Sequence, residues 1–120
     1  MSTWFVTRHP GAQRWAQTQD LQVDHVVTHL DLAQLHAGDV VIGILPIQMI
    51  ADICAMPARY LHLVLDVPAA LRGVELSAEQ MQTLGARIEG YEVRRLGLGV
   101  SADLKAHAVA NEKLNLEPKK

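Results

Sequence analysis

The residues with the clearest chemical potential in this 120-residue chain are Arg8 and His9, which follow an apolar run at residues 3–7 (TWFVT). A guanidinium can grip a phosphate through two parallel hydrogen bonds, and an imidazole can move a proton near neutral pH. Pro10 and Gly11 then turn the chain toward a helix, whose free N–H groups favour an anion. Because HPG is also an ordinary turn sequence, two interpretations stay open here: a site for phosphate chemistry and a surface turn.

Other candidate residues lie at the ends of predicted strands, where open parallel sheets bind ligands near the point of reversed strand order. Three segments qualify: residues 7–12 (TRHPGA), the turn at Leu45 and Pro46, and Asp66. Asp66 could bind a ribose hydroxyl or orient a base, and it could equally cap the turn before Pro68. Besides Arg8 and His9, the candidate ligand-binding residues are therefore Thr7, Pro10, Gly11, Ala12, Trp15, Leu45, Pro46 and Asp66.

Four apolar runs of strand length must position these side chains. Three strong runs cover residues 3–7, 39–45 and 59–66, and a weaker run covers residues 23–28. Their β-branched and leucine-rich sequences lack strict alternation with polar residues, which is typical of parallel strands buried on both faces. With the intervening helices, the order β, α, β, connection, β, α, β, α predicts an α/β fold with a mainly parallel sheet of about four strands.

Three segments have the pattern of helices. Residues 11–19 predict a short helix, and residues 46–56 place a proline in the first turn and apolar residues on one face. Trp15 lies inside the first helix, where it either packs into the core or covers an adenine beside the anion site. The third helix begins at Ser77, with a capping box to Gln80, and its apolar spacing continues through Met81, Leu84, Ile88 and Tyr91 toward Arg94 and Arg95.

The composition limits the partners. With 49% hydrophobic and 20% charged residues, the chain predicts one soluble domain at residues 1–97, followed by a C-terminal helix or loosely ordered tail at 98–120. A net charge of −2 lacks the basic footprint of proteins that track long DNA or RNA. Two Trp, two Tyr and one Phe offer little material for base-stacking platforms. We therefore expect no long nucleic acid as a partner, while a small anion stays compatible with a local pocket.

The cysteine and histidine content points away from disulfides and metals. The single cysteine, Cys54, cannot form an intramolecular disulfide, and no apolar stretch approaches the roughly 18 residues of a membrane span. His25 and His29 are spaced as in a zinc-binding helix, but their segment predicts a strand, where this spacing is too long to chelate one ion. We expect a cytoplasmic protein with no membrane contact, no metal and no cofactor.

Several of these segments together resemble a small family of CRISPR-associated proteins encoded beside type III CRISPR systems. The resemblance runs from Thr3 to about Leu96. Its segments are TRHPGA (7–12) with Trp15, THLD (28–31), GDVVIGILP (38–46) and YLHLVLDVP (60–68). The RHPGA turn and the GILP segment are the more specific of these. The resemblance implies a Rossmann-like fold, related to the sensor domains that bind cyclic oligoadenylate. It also implies a homodimer with the ligand site at the dimer interface.

Members of this family are proposed to be ring nucleases, which bind cyclic oligoadenylate and cut it. The resemblance therefore implies metal-independent cleavage of cyclic tetraadenylate, in which a ribose 2′-OH attacks the adjacent phosphodiester and leaves 2′,3′-cyclic phosphate ends. Arg8 would stabilise the charge of the phosphorane, and His9 would transfer a proton. Two alternatives remain. One is a non-catalytic module or CRISPR accessory subunit that binds and sequesters the same messenger or passes the signal to a partner, and the other is a structural or scaffold subunit in which TRHPGA is only a turn.

Overall fold

A computed structural model of the chain describes residues 1–96. Over these residues the chain forms, in order, β1 (Thr3–Val6), α1 (Pro10–Thr18), β2 (His25–Val27), β3 (Val40–Gly43), α2 (Ile47–Ala55), β4 (Arg59–Val64), α3 (Ala78–Thr83) and β5 (Arg87–Tyr91). Short 3₁₀ turns at Leu32–Gln34 and Ala69–Leu71 lie in the connections before β3 and before α3. The predicted C-terminal segment, residues 98–120, lies outside the described residues.

The strands form one five-stranded sheet in the order β2-β1-β3-β4-β5. The first four strands run parallel, and β5 pairs antiparallel with β4. The prediction of an α/β fold with a mainly parallel sheet flanked by helices is confirmed, and the sheet has five strands rather than about four. From β1 the chain passes to β2 on one side of β1 and then returns to form β3 on the other side. The order of the strands therefore reverses between β1 and β3.

Helices cover both faces of this sheet. Adjacent residues of a strand point to opposite faces, so Trp4 joins the cluster under α2 while Phe5 joins the cluster under α1 and α3. The α2 cluster holds Trp4, Leu35, Val41, Ile50, Ile53, Ala58 and Tyr60. The α1 and α3 cluster holds Phe5, Ala12, Trp15, Ala16, Ile42, Leu63 and Met81. Burial on both faces accounts for the lack of polar alternation in β1, β3 and β4. The prediction was wrong for the weaker run, because β2 lies at the edge of the sheet and exposes His25 and Val26.

The third helix is much shorter than its sequence pattern predicts. Its capping box is confirmed, since Gln80 N–H donates to Ser77 Oγ at 3.1 Å and Ser77 N–H donates to Gln80 Oε1 at 2.9 Å. The helix nevertheless ends at Thr83, because Gly85 adopts a φ of +79° that stops an α-helix and turns the chain. Arg87–Tyr91 then form β5, so the predicted helix was wrong beyond its second turn.

None of the helices in residues 1–96 combines the length and the apolar character needed to cross a bilayer.

Candidate functional site

A cleft of about 600 Å³ opens at the carboxyl ends of the parallel strands, and we call it the strand-end cleft. Its position at the reversal of strand order between β1 and β3 is where open α/β sheets bind ligands. The chain just beyond β1, β2 and β3 forms one side, and the ends of β4 and the start of α3 form the other. The lining residues are Phe5 to His9, Ala12, Thr28 to Leu30, Gly43 to Pro46, Met49, Leu63, Leu65, Val74, Leu76 and Met81.

Arg8 and His9 both reach this cleft because the loop after β1 has a defined shape. The His9 backbone N–H donates to Thr7 Oγ1 at 3.1 Å, and the His9 carbonyl accepts from Ala12 N–H at 3.1 Å. His9 is the extended residue that precedes α1, Pro10 takes the first helical position, and the first turn contains no acidic side chain. The positive end of the α1 dipole therefore lies beside the loop that carries Arg8 and His9.

His29 is a cleft residue that sequence reasoning missed. Its Nε2 lies 3.5 Å from Arg8 Nη2, so the loops after β1 and β2 bring a guanidinium and an imidazole together. The strand-end rule could have found it, because THLD at 28–31 directly follows the weak apolar run 23–28. His25 does not join the site, since its ring stacks on Trp4 with centroids 4.2 Å apart.

The charge of the cleft is opposite in sign to that of the whole chain. Among the described lining residues the ionisable side chains are Arg8, His9 and His29, and no carboxylate is present. The net charge of −2 therefore resides elsewhere on the molecule. Over residues 1–96, no group of three or more His, Cys, Asp or Glu side chains is arranged to hold a metal ion. The cleft has the electrostatic character of an anion site.

The remaining walls are apolar. Side chains of leucine, isoleucine, valine, methionine and phenylalanine surround the basic end. The lining residues Ile44 and Val74 are 60% and 51% exposed, and Ile47, which follows the lining residue Pro46, is 67% exposed; we call these three residues the rim. A flat ring can pack against such walls while a neighbouring phosphate meets Arg8. The arrangement therefore suits a ligand that carries both a flat apolar ring and an anionic group.

The structure brings six of the predicted site residues together. Thr7, Arg8, His9, Ala12, Leu45 and Pro46 all line the strand-end cleft. Pro10 and Gly11 belong to the same loop but lie outside the lining. Gly11 is buried against the segment before α3, where a Cβ atom would stand 1.8 Å from the Leu76 carbonyl oxygen. Its role is close packing of α1.

Trp15 and Asp66 lie outside the cleft. Trp15 is 2% exposed in the core, and its Nε1–H donates to Gln82 Oε1 at 3.0 Å, so its ring does not cover a ligand there. The Asp66 side chain is 82% exposed and lies 3.7 Å from Arg87 Nη1. This ion pair exists because β5 runs beside the end of β4, whereas the sequence pattern placed Arg87 on a helix.

A protein-family model described as "Putative CRISPR-associated protein (Cas_VVA1548)" matches residues 4–94 of the chain. The matched range includes every residue that lines the strand-end cleft. Comparisons with curated proteins and with solved structures gave no match.

Proposed function

The chain belongs to this CRISPR-associated family, and from that membership and the strand-end cleft we propose that it binds cyclic tetraadenylate and cuts it without a metal ion. The observation that carries the proposal is the placement of Arg8, His9 and His29 in an otherwise apolar cleft without a carboxylate. A small cyclic anion can use such a local site on an acidic protein, whereas binding along a long polymer calls for a basic surface that extends beyond one site. The strand order, with helices on both faces, supports the Rossmann-like fold that the resemblance implies.

The size of the cleft favours a shared site. Its volume of about 600 Å³ lies within the range of roughly 300–1,000 Å³ for small-molecule sites. Such a cleft holds part of a tetranucleotide ring rather than the whole ring. Two copies related by a two-fold axis would present one cleft to each half of a symmetric ligand. We therefore propose a homodimer with the ligand at its interface.

The proposed reaction needs positioning, charge stabilisation and proton transfer. The ribose 2′-oxygen attacks the adjacent phosphorus in line, and its proton passes to a base. Arg8 holds the phosphate and stabilises the extra negative charge of the phosphorane. The bond from phosphorus to the 5′-oxygen then breaks, and that oxygen takes up a proton. The product ends are a 2′,3′-cyclic phosphate and a 5′-hydroxyl.

His9 and His29 are the candidates for these proton transfers. Both imidazoles line the cleft, and the His29 ring already lies 3.5 Å from the guanidinium that would hold the phosphate. We assign His9 the first role, because it directly follows Arg8 at the start of α1, and His29 the second. A phosphate that binds Arg8 would replace His29 as the hydrogen-bond partner of the guanidinium. His29 Nε2 would then be free to exchange a proton.

One observation favours a second candidate function, which is binding and sequestration without cleavage. In the described part of the chain, no carboxylate hydrogen-bonds the ring of His9 or His29. Catalytic histidines are commonly oriented by such a partner. A cleft that only binds the messenger would also lower its free concentration.

A single-turnover assay distinguishes the two functions. Stoichiometric protein is incubated with cyclic tetraadenylate in EDTA, the products are separated by chromatography, and binding is measured by calorimetry. We expect linear products with 2′,3′-cyclic phosphate ends. Tight binding of an intact ring would instead establish sequestration, and no binding would contradict both functions. His9→Ala is compared with His36→Ala, because the His36 side chain is 84% exposed and lies outside the cleft.

A further inference from the structure

The buried hydroxyl of Tyr60 ties down the backbone that forms one wall of the strand-end cleft. Tyr60 lies on β4 and is 2% exposed. Its hydroxyl donates to the Gly43 carbonyl oxygen at 2.8 Å and accepts from the Leu45 N–H at 3.1 Å. Both partners line the cleft, on either side of Ile44. A single oxygen atom thus fixes the position of the chain as it leaves β3.

The third contact of this oxygen determines the protonation site of His62. His62 Nδ1 lies 2.7 Å from the Tyr60 hydroxyl oxygen. A tyrosine hydroxyl has one hydrogen to donate, and that hydrogen is used on Gly43. The Tyr60 oxygen has one lone pair left after it accepts from Leu45 N–H, so it can only accept a hydrogen from His62. The hydrogen between Tyr60 and His62 is therefore assigned to Nδ1 of His62. This network of hydrogen bonds assigns the hydrogen of the neutral His62 ring to Nδ1 and leaves Nε2 as an acceptor.

The end of β3 is held by its pairing with β4, in which Gly43 lies opposite His62, and the side chains beyond it are unequally packed. A Cβ atom on Gly43 would stand 3.1 Å from the Val6 carbonyl oxygen, so the two backbones approach closely at the switch point and a larger residue would be tightly packed there. Gly43 has no side chain to pack, and the next residue, Ile44, is 60% exposed. Leu45 packs against the α2 cluster, and the Tyr60 hydroxyl adds hydrogen bonds to the backbone on both sides of the exposed Ile44.

We infer that Tyr60 and His62 are positioning residues for the strand-end cleft, in which His62 orients the Tyr60 hydroxyl and this hydroxyl holds Gly43 and Leu45 in place for the ligand. Neither side chain lines the cleft. The ligand-binding part of this inference rests on the proposed function. Burial raises the pKa of Tyr60, which keeps the hydroxyl protonated as the donor to Gly43.

Substitutions at these two positions separate the hydrogen bonds from the packing. Tyr60→Phe keeps the buried ring and removes the oxygen. His62→Asn keeps an N–H donor close to the position of Nδ1, whereas His62→Leu removes it. Tyr91→Phe is the matched control, because the Tyr91 ring contacts His62 with centroids 5.7 Å apart while its hydroxyl donates only to Glu89.

Ligand affinity is measured by calorimetry with 2′-O-methyl cyclic tetraadenylate, which lacks the attacking hydroxyl and is not cut. We expect Tyr60→Phe and His62→Leu to raise Kd by about tenfold, because the ligand would then bind to a wall whose backbone is held less firmly. His62→Asn and Tyr91→Phe should stay close to the wild type. Unchanged affinity in folded Tyr60→Phe, or equal losses in His62→Asn and His62→Leu, would overturn the inference.

Nuclear magnetic resonance tests the same inference without any ligand. The ¹⁵N shifts of His62 should show hydrogen on Nδ1 and not on Nε2, and the Leu45 amide should lose protection from exchange in Tyr60→Phe. A hydrogen on Nε2 of the neutral ring, or an unchanged Leu45 amide, would contradict the positioning role. If the wild type binds no cyclic tetraadenylate, the proposed function fails, and these two readouts still decide the inference.

Discussion

The cleft depends on a few charged side chains, and Arg8 is the residue on which the proposal depends most. It is the sole Arg or Lys among the described lining residues, and its Nη2 already contacts His29 at 3.5 Å. A guanidinium presents two parallel N–H groups to a phosphate, and an ammonium does not. Substitutions at Arg8 should therefore separate the effect of its positive charge on ligand binding from the effect of the guanidinium geometry.

Arg8→Ala should weaken binding of 2′-O-methyl cyclic tetraadenylate on the order of tenfold to a hundredfold, because a charge-assisted bidentate contact is lost. Arg8→Lys should recover part of that affinity through its charge alone. Calorimetry measures both. Arg14→Ala is the control, since Arg14 is exposed on α1 and lies outside the cleft. Equal affinities of Arg8→Ala and the wild type would remove Arg8 from the site.

Asp39 acts at the opposite end of the sheet, where it secures the N-terminal segment. Its carboxylate accepts from Ser2 N–H at 2.9 Å, from His36 N–H at 3.0 Å and from Trp4 Nε1–H at 3.3 Å. These contacts, led by the Ser2 N–H bond, lower the pKa of Asp39 from its usual value. The stability that they provide is present above the unfolded pKa and is lost as pH falls through the lower folded pKa.

Asp39→Asn should therefore lower the melting temperature by several degrees at pH 7, and the difference from the wild type should shrink progressively as the pH falls below about 4. Calorimetric melting curves between pH 2 and 7 measure this. Asp31→Asn is the comparison, because Asp31 is an exposed carboxylate whose one described bond is a local cap to Ala33 N–H at 3.0 Å. A difference that does not depend on pH would contradict the assigned role of the carboxylate charge.

At the scale of elements, the close contact between α1 and the segment before α3 fixes the loop that carries Arg8. Gly11 lies in the first turn of α1, where an added Cβ would stand 1.8 Å from the Leu76 carbonyl oxygen. Backbone atoms on both sides leave no flexible side chain to move away. A larger residue must therefore displace α1 from the sheet or deform the chain at Leu76.

Gly11→Ala should destabilise the protein by about 3 kcal/mol, at the upper end for an overpacked core. Chemical denaturation measures the free energy of unfolding. Gly90→Ala serves as the matched control, since its Cβ would lie 3.4 Å from a Leu61 methyl group in ordinary contact, and the change should be within about 1 kcal/mol of the wild type. Similar stabilities of the two variants would show that α1 does not pack on Leu76 as described.

The elements also show which parts of the fold the sequence can predict. Strands buried on both faces and the Ser77 cap have local signatures, and both are confirmed except in β2, an edge strand in which His25 and Val26 are exposed. The spacing of Ile88 and Tyr91 fits a helix, yet in β5 these residues lie on opposite faces and pair with β4. Gly85 was the available signal, because glycine near the end of a helical pattern commonly stops it. Pairing with a distant strand has no local signature.

The same limit applies to the site. Arg8 and His9 could be predicted because they follow a strong strand, whereas His29 follows a weak strand of three residues. Asp66 also follows a predicted strand, but its carboxylate pairs with Arg87 on β5 and not with the cleft. Only the tertiary fold brings Arg87 near Asp66. The hydrogen bonds of Tyr60 also depend on the pairing of β3 with β4. Sequence patterns locate strand ends, and the fold selects which of them share the cleft.

At the scale of the whole molecule, the rim of the cleft fits a second copy of the chain in our proposal. Ile44, Ile47 and Val74 leave apolar surface exposed beside a site that holds only part of the proposed ring. A two-fold axis at this rim would cover that surface and complete the site. A substitution at the rim that prevents dimerisation should therefore also abolish ligand cleavage.

Sedimentation velocity should show the wild type as a dimer at micromolar concentration, stabilised further by 2′-O-methyl cyclic tetraadenylate. Ile47→Lys should shift the protein toward the monomer and reduce cleavage of cyclic tetraadenylate in parallel, because a charge would enter an apolar contact. Gln48→Lys, on the next exposed residue of α2, gives the control for added charge. A fully active monomer would contradict the shared site.

The most direct measurement of the central claim is a map of amide chemical shifts as 2′-O-methyl cyclic tetraadenylate is added in EDTA. If the ligand occupies the strand-end cleft, the amides at residues 7–9, 28–30 and 43–45 should shift together and saturate at one ring per two chains. The amides of β5, on the edge of the sheet, should stay in place. Shifts confined to β5, or no shifts at ligand concentrations far above those of the protein, would contradict the account.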